Sequence, residues 1–282
     1  MLTRPCRRGL TLAEIMVGLV VTLVVTGAVY RLLLTAQRLT RNQAERVALQ
    51  SSVRAGSLIV FNELADLSTL AGGTPEQNDV VAMGASAISY RAMRGIGFVC
   101  DSPSPGVVRL ARSSFSGHRD PQAGRDEAYV FVAGDSATVT KDAWVPLRIL
   151  SVTSSSPCPG AGGSSITLTL SGSPAPESLE AGTPVRITEL MEMKLYRADG
   201  RSWLGARSVS AGEAIQPLLG PLSDPGGFEL EYLNAVGSTT LDRRDIRSIR
   251  VRLSGLMAGG REEPGPQEEL VTQVALRNPW PR

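Results

Sequence analysis

The most informative segment of the sequence lies near the start of the chain. It reads Arg8-Gly9-Leu10-Thr11-Leu12-Ala13-Glu14, followed by Ile15-Met-Val-Gly-Leu-Val-Val-Thr-Leu-Val-Val-Thr-Gly-Ala-Val-Tyr30. No residue from Ile15 to Tyr30 is charged, and after Arg31 the apolar character continues to Leu34. At about 1.5 Å per residue, residues 15–34 form a helix about 30 Å long, which is the thickness of the hydrocarbon core of a bilayer. The stretch therefore predicts a membrane-spanning helix.

One carboxylate, Glu14, lies at the edge of this apolar helix. A charge inside a membrane helix costs roughly 2.5–3.5 kcal/mol at the bilayer centre and less near the interface, so it needs a partner. An ordinary signal anchor leaves Glu14 unexplained. A cleaved secretory signal is disfavoured, because the apolar run is long and Arg31-Leu32 is not a small-residue cleavage site. Glu14 is therefore a candidate functional residue.

The composition excludes most classes of enzyme site. Of 282 residues, 42% are hydrophobic and 20% are charged, so the chain can fold, and its net charge of +2 gives no strong field for nucleic acid. A single histidine, His118, excludes two-histidine zinc motifs, and three cysteines cannot form a four-thiolate site. Neither lysine follows a glycine, and no Gly-x-Ser-x-Gly occurs. We predict that the protein is not an enzyme and uses no cofactor.

Neither the single histidine nor the acidic residues that follow it predict a catalytic or metal-binding site. His118 lies in a Ser- and Gly-containing stretch, which predicts a surface loop. Asp120, Asp126 and Glu127 are candidate calcium ligands, but their spacing matches no calcium-binding loop. The sequence therefore predicts no metal site.

Beyond Leu34 the pattern becomes amphipathic. Apolar residues recur at steps of three and four from Ala44 to Ala65, and no proline occurs between Pro5 and Pro75. The segment at 71–75, Ala-Gly-Gly-Thr-Pro, ends the pattern. One helix is predicted from near Leu10 to near Leu67.

The remainder of the chain predicts strands. Short apolar runs alternate with clusters of Gly, Pro, Ser and Asp, and several runs have the period of two that is typical of an antiparallel sheet with one wet face. If the strands around residues 228–232 and 249–253 pair, Glu229 and Glu231 face Arg250 and Arg252. The predicted strands are 128–132, 144–150, 166–170, 191–195, 228–232 and 249–253.

The segment Arg8 to Glu14 resembles the prepilin cleavage and methylation motif of type IV pilins and type II secretion pseudopilins. The family has a basic leader ending in glycine, then usually phenylalanine, then Thr-Leu, any residue and glutamate, before a long apolar helix. Here Leu10 replaces the phenylalanine, and the other positions match in register.

The resemblance implies processing and an assembly role. A prepilin peptidase would cut between Gly9 and Leu10 and methylate the new amine of Leu10, which keeps its positive charge. In the assembled filament, Glu14 would face the Leu10 amine of a neighbouring subunit. Such a pair sets axial register more than it adds stability.

The resemblance also implies an α+β, pilin-like fold, in which a long amino-terminal helix packs on a β-rich, mainly antiparallel head. We expect a leader at 1–9, a transmembrane and filament-core helix at 10–34, its amphipathic continuation at 35–70 and an extracytoplasmic head at 71–282. The late sequence, such as Phe228-Glu-Leu-Glu-Tyr232, diffusely resembles PilW-type minor pilins. A head of this size suits a subunit present in few copies.

The expected location bears on the cysteines. Cys6 would leave with the leader, whereas Cys100 and Cys158 would remain in an oxidising compartment, where they form a disulfide or stay as two free thiols. Loss of Arg4, Arg7 and Arg8 would leave a nearly neutral mature chain, which gives DNA binding little support.

The functional hypothesis is a minor pilin that helps to initiate or cap a type IV pilus. The alternatives are a minor pseudopilin of a type II secretion system and a DNA-uptake or adhesive minor pilin. The expected partners are the prepilin peptidase, other minor and major pilins or pseudopilins, the inner-membrane assembly platform and the membrane, with no nucleic acid. The expected location is the inner membrane, as a single-pass protein with its head in the periplasm or outside the cell, and then the filament.

Overall fold

The structure, a computed structural model, describes residues 11–69, 78–133, 142–155, 157–158, 163–173, 179–256, 267–276 and 278–279. The chain divides into two units, residues 1–49 and 50–282. Helix α1, Leu12–Ala65, contributes residues to both units. Its observed bounds agree with the helix predicted from near Leu10 to near Leu67.

Fifteen strands follow the helix among the described residues. Every pairing is antiparallel except the short parallel contact of β1 with β15. The strands are β1 Ser68–Thr69, β2 Val80–Met83, β3 Ala87–Ser104, β4 Val107–Ala111, β5 Ser116–Gly117, β6 Asp126–Val132, β7 Ala143–Ser155, β8 Ser165–Leu170, β9 Pro184–Ala198, β10 Arg201–Ser208, β11 Gln216–Leu222, β12 Phe228–Leu233, β13 Ser248–Leu256, β14 Gln267–Ala275 and β15 Asn278–Pro279.

Six strands close on one another to form a ring. Strand β9 pairs with β6, which continues through β7, β8 and β4 to β3, and β3 pairs back with β9. Closure removes two sheet edges and encloses an apolar core, because inward-facing residues alternate with outward-facing ones along each strand. The core residues of the ring include Val99, Val108, Leu110, Val130, Ile149, Ile166, Leu168, Val185 and Ile187.

The carboxyl-terminal half of β9 leads into a second part of the sheet. There β9 pairs with β10, which continues through β11 to β13, and β13 lies between β12 and β14. The end of α1 packs on this part: a side chain at Gly56 would meet Leu219 of β11 at 2.5 Å, and Val60 and Leu64 are buried. Apolar burial of this kind contributes about 25 cal/mol per Å² and holds the helix end on the sheet.

The predicted fold class is confirmed: a long apolar amino-terminal helix precedes a β-rich antiparallel head. All six predicted strands lie within observed ones. The predicted cross-strand pairs are also present, since Glu229 lies opposite Arg252 and Glu231 opposite Arg250 in the β12–β13 ladder. No sequence pattern predicted β3, which at 18 residues is the longest of the described strands and belongs to both parts of the sheet.

The hairpin between β9 and β10 has a connection of two residues. Asp199 and Gly200 form the two-residue loop, with positive φ of 52° and 72°. These values fit a type I′ turn, whose twist matches that of the flanking strands and which favours Asp-Gly. The turn fixes the register in which Ala198 pairs with Arg201.

The ring carries a covalent link. The structure joins Cys100 of β3 to Cys158, which follows β7, by a disulfide with a Cα–Cα distance of 5.8 Å and a sequence separation of 58. The link joins β3 to the segment that follows β7, and β3 and β7 are not neighbours in the ring. In the chain-entropy account it stabilises the fold by restricting the unfolded chain.

We expect replacement of both Cys100 and Cys158 by serine to lower the free energy of unfolding by about 4 kcal/mol, the value for a loop of this length. The melting temperature should fall by about 10 °C. Tryptophan fluorescence of the full chain in detergent measures this. Reductant should lower the melting temperature of the wild type and leave the double variant unchanged; equal melting of both proteins would contradict the prediction.

Candidate functional site

The start of α1 forms a reciprocal hydrogen-bond pair between Thr11 and Glu14. The backbone N–H of Thr11 donates to Glu14 Oε2 at 2.9 Å, and the hydroxyl of Thr11 donates to the same oxygen at 3.1 Å. In return, the backbone N–H of Glu14 donates to Thr11 Oγ1 at 3.3 Å. This is the capping-box arrangement, in which residues at the N-cap and third helical positions satisfy each other's backbone N–H groups.

The capping box gives Glu14 a role beyond the one predicted from the sequence. The Thr-x-x-Glu spacing directly before an apolar run is a recognised signal for it. The box holds the carboxylate at the helix N-terminus, where the helix dipole favours negative charge. It is formed by groups that lie after the Gly9–Leu10 bond, so cutting that bond removes none of them.

The helix that follows is apolar and uncovered in its own unit. Residues 11–44 are all exposed, and α1 is the one described helix that is long and apolar enough to cross a membrane. The hydroxyl of Thr22 donates to the carbonyl of Gly18 at 2.7 Å, so this polar group needs no water. An exposed apolar surface of this length is unstable in water, and it requires lipid or other helices around it.

A second cluster of charge lies in the other unit, at the centre of the sheet. Glu189 of β9 is 2% exposed and lies opposite Asp126 of β6 in the ladder. Arg119 bridges the two acids: its Nη1 and Nη2 donate to Asp126 at 2.6 and 2.7 Å, and Nη2 also donates to Glu189 at 3.2 Å. Two neighbouring buried carboxylates would repel each other, and the guanidinium compensates both.

Two further arginines complete the cluster and connect it to the helix. Arg94 donates from Nε to Glu189 at 2.7 Å and from Nη1 to Glu63 of α1 at 3.3 Å. Arg125 donates to Glu189 and to Glu213. Burial by itself raises the pKa of Glu189, but hydrogen bonds from Ser208, Arg94 and Arg125 lower it to about 2. The cluster thus attaches the end of α1 to the sheet through charge as well as apolar contact.

The candidate calcium ligands contact arginines instead. The carboxylate of Asp126 forms an ion pair with Arg119. The carboxylate of Asp120 lies 2.8 Å from the guanidinium of Arg112, and that of Glu127 lies 3.7 Å from the guanidinium of Arg91. Within the described ranges, no group of three or more His, Cys, Asp or Glu side chains is arranged to hold a metal ion. These acids are therefore explained as ion-pair partners.

His118 is exposed, as predicted for a surface loop, and its backbone N–H donates to the carbonyl of Arg94 at 3.0 Å. It lines a cavity of about 240 Å³ beside Glu63 and Arg94. The carboxylate of Glu63 already accepts hydrogen bonds from Tyr90 and Arg94. Glu63 and Arg94 are therefore paired with each other and are not available to bind a ligand in this cavity.

Residues 4–30 match the family model of the prokaryotic N-terminal methylation motif. The match covers the basic leader, the capping box and the first part of α1, and it leaves the head uncovered. No curated protein and no solved structure matches the chain.

The methylation motif indicates a substrate of a prepilin peptidase, of the type IV pilin or pseudopilin kind, that is anchored in the membrane by its amino-terminal helix. Such proteins are structural subunits that assemble with other pilins. The predicted cleavage and methylation positions, Gly9 and Leu10, lie outside the described residues. Glu14, the predicted assembly residue, is described, and its contacts within the chain are those of the capping box.

Proposed function

We propose that the protein is a minor pilin, processed between Gly9 and Leu10 and methylated at Leu10, that helps to initiate or cap a type IV pilus. The observation that carries the proposal is the methylation motif at residues 4–30, directly before an exposed apolar helix. In the filament, Glu14 pairs with the Leu10 amine of a neighbouring subunit.

The size of the head supports the proposal that this subunit is present in few copies per filament. Residues 50–282 form a large unit with its own ring of strands and buried ion cluster, which is bulky for a subunit packed in a long repeating filament. The late sequence resembles PilW-type minor pilins. The head would lie in the periplasm or outside the cell, where the Cys100–Cys158 bond is stable.

Mass spectrometry of the mature amino terminus tests the processing. In cells with prepilin peptidase, we expect the protein to begin at Leu10 and to be heavier by one methyl group. In cells that lack the peptidase, the leader should remain. The variant Gly9→Val provides a matched control in peptidase-containing cells, because a branched side chain at the cut prevents close approach to the backbone.

Two results would contradict the proposal. One is a protein that keeps its initiator methionine in peptidase-containing cells, and the other is a chain trimmed beyond Tyr30 by a general signal peptidase. Deletion of the gene distinguishes pilus from secretion system. Loss of surface pili with normal protein secretion supports the minor pilin, whereas loss of secretion with normal pili assigns the protein to a pseudopilus.

A further inference from the structure

A cavity of about 260 Å³ lies in the second unit, beside the turn between β9 and β10. Its walls combine apolar side chains with a serine and with charged side chains of both signs. The residues that matter here are Arg197, Arg201, Ser202, Leu222, Asp224 and Leu256. Sites for drug-sized molecules have volumes of about 300–1,000 Å³, apolar walls and few polar groups, so a cavity slightly smaller than these suits one small chemical group.

The hydroxyl of Ser202 is a buried polar group that the fold leaves without a partner. Ser202 is 3% exposed, and its Oγ has no hydrogen-bond partner in the described part of the chain. A buried hydroxyl normally forms a hydrogen bond, because leaving it without one costs free energy. Since Ser202 lines the cavity, a group that enters the cavity can supply the missing partner.

The register of the sheet places Ser202 between a basic and an apolar neighbour. Ser202 of β10 lies opposite Arg197 of β9 on one side and opposite Leu222 of β11 on the other. Directly opposed residues of an antiparallel ladder share one face of the sheet, so these three side chains form a row. The hydroxyl therefore lies between positive charge and an apolar wall, to which Leu256 of β13 also contributes.

The lining carries one positive charge in excess. Arg197 forms an ion pair with Asp224 at 3.3 Å, which leaves that pair neutral. Arg201, the first residue of β10, is exposed, and its guanidinium forms no hydrogen bond or ion pair with any residue that the structure describes. A single uncompensated guanidinium matches an anion with one charge, whereas a phosphate group carries about −1.5 to −2 at pH 7.

We propose that this cavity binds a carboxylate carried on a small branched apolar group, such as a leucine residue with a free α-carboxylate. The guanidinium of Arg201 donates to the carboxylate, which its planar fork of N–H groups fits. The hydroxyl of Ser202 donates a further hydrogen bond to the same carboxylate. The apolar group packs against Leu222 and Leu256, in the part of the cavity away from the charges.

Calorimetric titration of the full chain in detergent tests the proposal. The probe is N-acetyl-leucine, and N-acetyl-leucinamide is its uncharged counterpart of the same shape. We expect the acid to bind at least about tenfold more tightly, because hydrogen bonds to a charged group contribute a factor of this size or more. A peptide that ends in Ala-Ala-Leu distinguishes two sources of the carboxylate: binding as tight as that of N-acetyl-leucine identifies a peptide end, and weaker binding identifies a free acid.

Substitutions in the lining assign the contacts. Arg201→Gln and Ser202→Ala should each weaken the binding of N-acetyl-leucine at least about tenfold. Arg148→Gln is the matched control, since Arg148 of β7 is also an exposed arginine on a strand and does not line the cavity. Without the probe, Ser202→Ala should melt no lower than the wild type, because the hydroxyl that it removes has no partner.

A change of the opposite sign completes the test. Asp224→Asn raises the net positive charge of the lining, so N-acetyl-leucine should bind about threefold more tightly, as expected for a charge near the surface. Equal binding of acid and amide would overturn the proposal, and so would binding that Arg201→Gln and Ser202→Ala leave unchanged. Tighter binding of inorganic phosphate than of N-acetyl-leucine, or no saturable binding of N-acetyl-leucine, would overturn it as well.

Discussion

Glu14→Gln is expected to leave the protein in the membrane and to lower its incorporation into filaments by at least about a hundredfold. Removing one member of a buried charge pair costs about 3–5 kcal/mol, because the remaining charge is left without compensation. In the proposed filament, the remaining charge is the Leu10 amine of the neighbouring subunit. The membrane fraction and the sheared filament fraction, compared by immunoblot, measure the two effects separately.

The capping box provides the matched variants. Glutamine at position 14 keeps an oxygen that accepts from the Thr11 N–H, so Glu14→Gln preserves the cap and removes only the charge. Thr11→Val removes the hydroxyl and keeps the charge, at a cost of about 1 kcal/mol to the helix start. Glu14→Ala removes both.

The three variants separate pairing from capping. If Glu14 pairs with a neighbouring amine, Glu14→Gln and Glu14→Ala fail alike and Thr11→Val assembles. Normal assembly of Glu14→Gln, together with failure of Thr11→Val, would show that Glu14 acts through the helix start. In that case its charge has no role between subunits.

Glu189→Gln is expected to lower the free energy of unfolding of the head by about 3–5 kcal/mol. The amide cannot compensate Arg94, Arg119 and Arg125, which all donate to the carboxylate in the native protein. Urea unfolding of the full chain in detergent measures the loss. All three tryptophans lie beyond residue 143, so their fluorescence reports on the second unit.

An exposed pair supplies the matched control. Glu229 faces Arg252 at 3.7 Å, and both side chains are about half exposed. Glu229→Gln removes the same charge from a sheet position in solvent, where a pair contributes only about 0.2–1 kcal/mol. Equal effects of Glu189→Gln and Glu229→Gln would show that the buried cluster adds no more than a surface pair.

The same carboxylate predicts a pH dependence. The pKa of Glu189 is about 2 in the folded protein, below its ordinary value of 4.5. Between these values the unfolded chain binds more protons than the native chain, so the stabilisation is complete above about pH 5 and is lost as the pH falls towards 2. Glu189→Gln should therefore lose less stability than the wild type between pH 5 and pH 3. An equal loss of unfolding free energy by the two proteins between pH 5 and pH 3 would contradict this prediction.

The helix and several strands were predictable because their signals are local. The apolar run from residue 15 and the absence of proline up to residue 75 fix the helix whatever lies around it. The alternation of Phe228, Leu230 and Tyr232 predicted a strand with one buried face, and all three side chains are buried. The Asp199-Gly200 turn and the Thr11–Glu14 box had equally local signals that the sequence analysis did not use.

The long strand β3 shows where local signals fail. Its sequence contains Gly95, Gly97 and Pro103, which disfavour a strand, yet it pairs with β9 over one part of its length and with β4 over another. Pairing with neighbouring strands outweighs a low intrinsic β-propensity, because the stability of a strand depends mainly on the residues that pack beside it.

Local patterns in the sequence predict the apolar helix, the methylation motif and the predominance of antiparallel strands, since each depends on residues that are close together along the chain. The closure of six strands into a ring and the contact of Glu189 with three arginines are visible only in the folded protein. The physical reason is that these features join residues tens of positions apart: Glu189 and Arg94, for example, are separated by 95 positions. A local sequence pattern therefore cannot predict that these two residues pair.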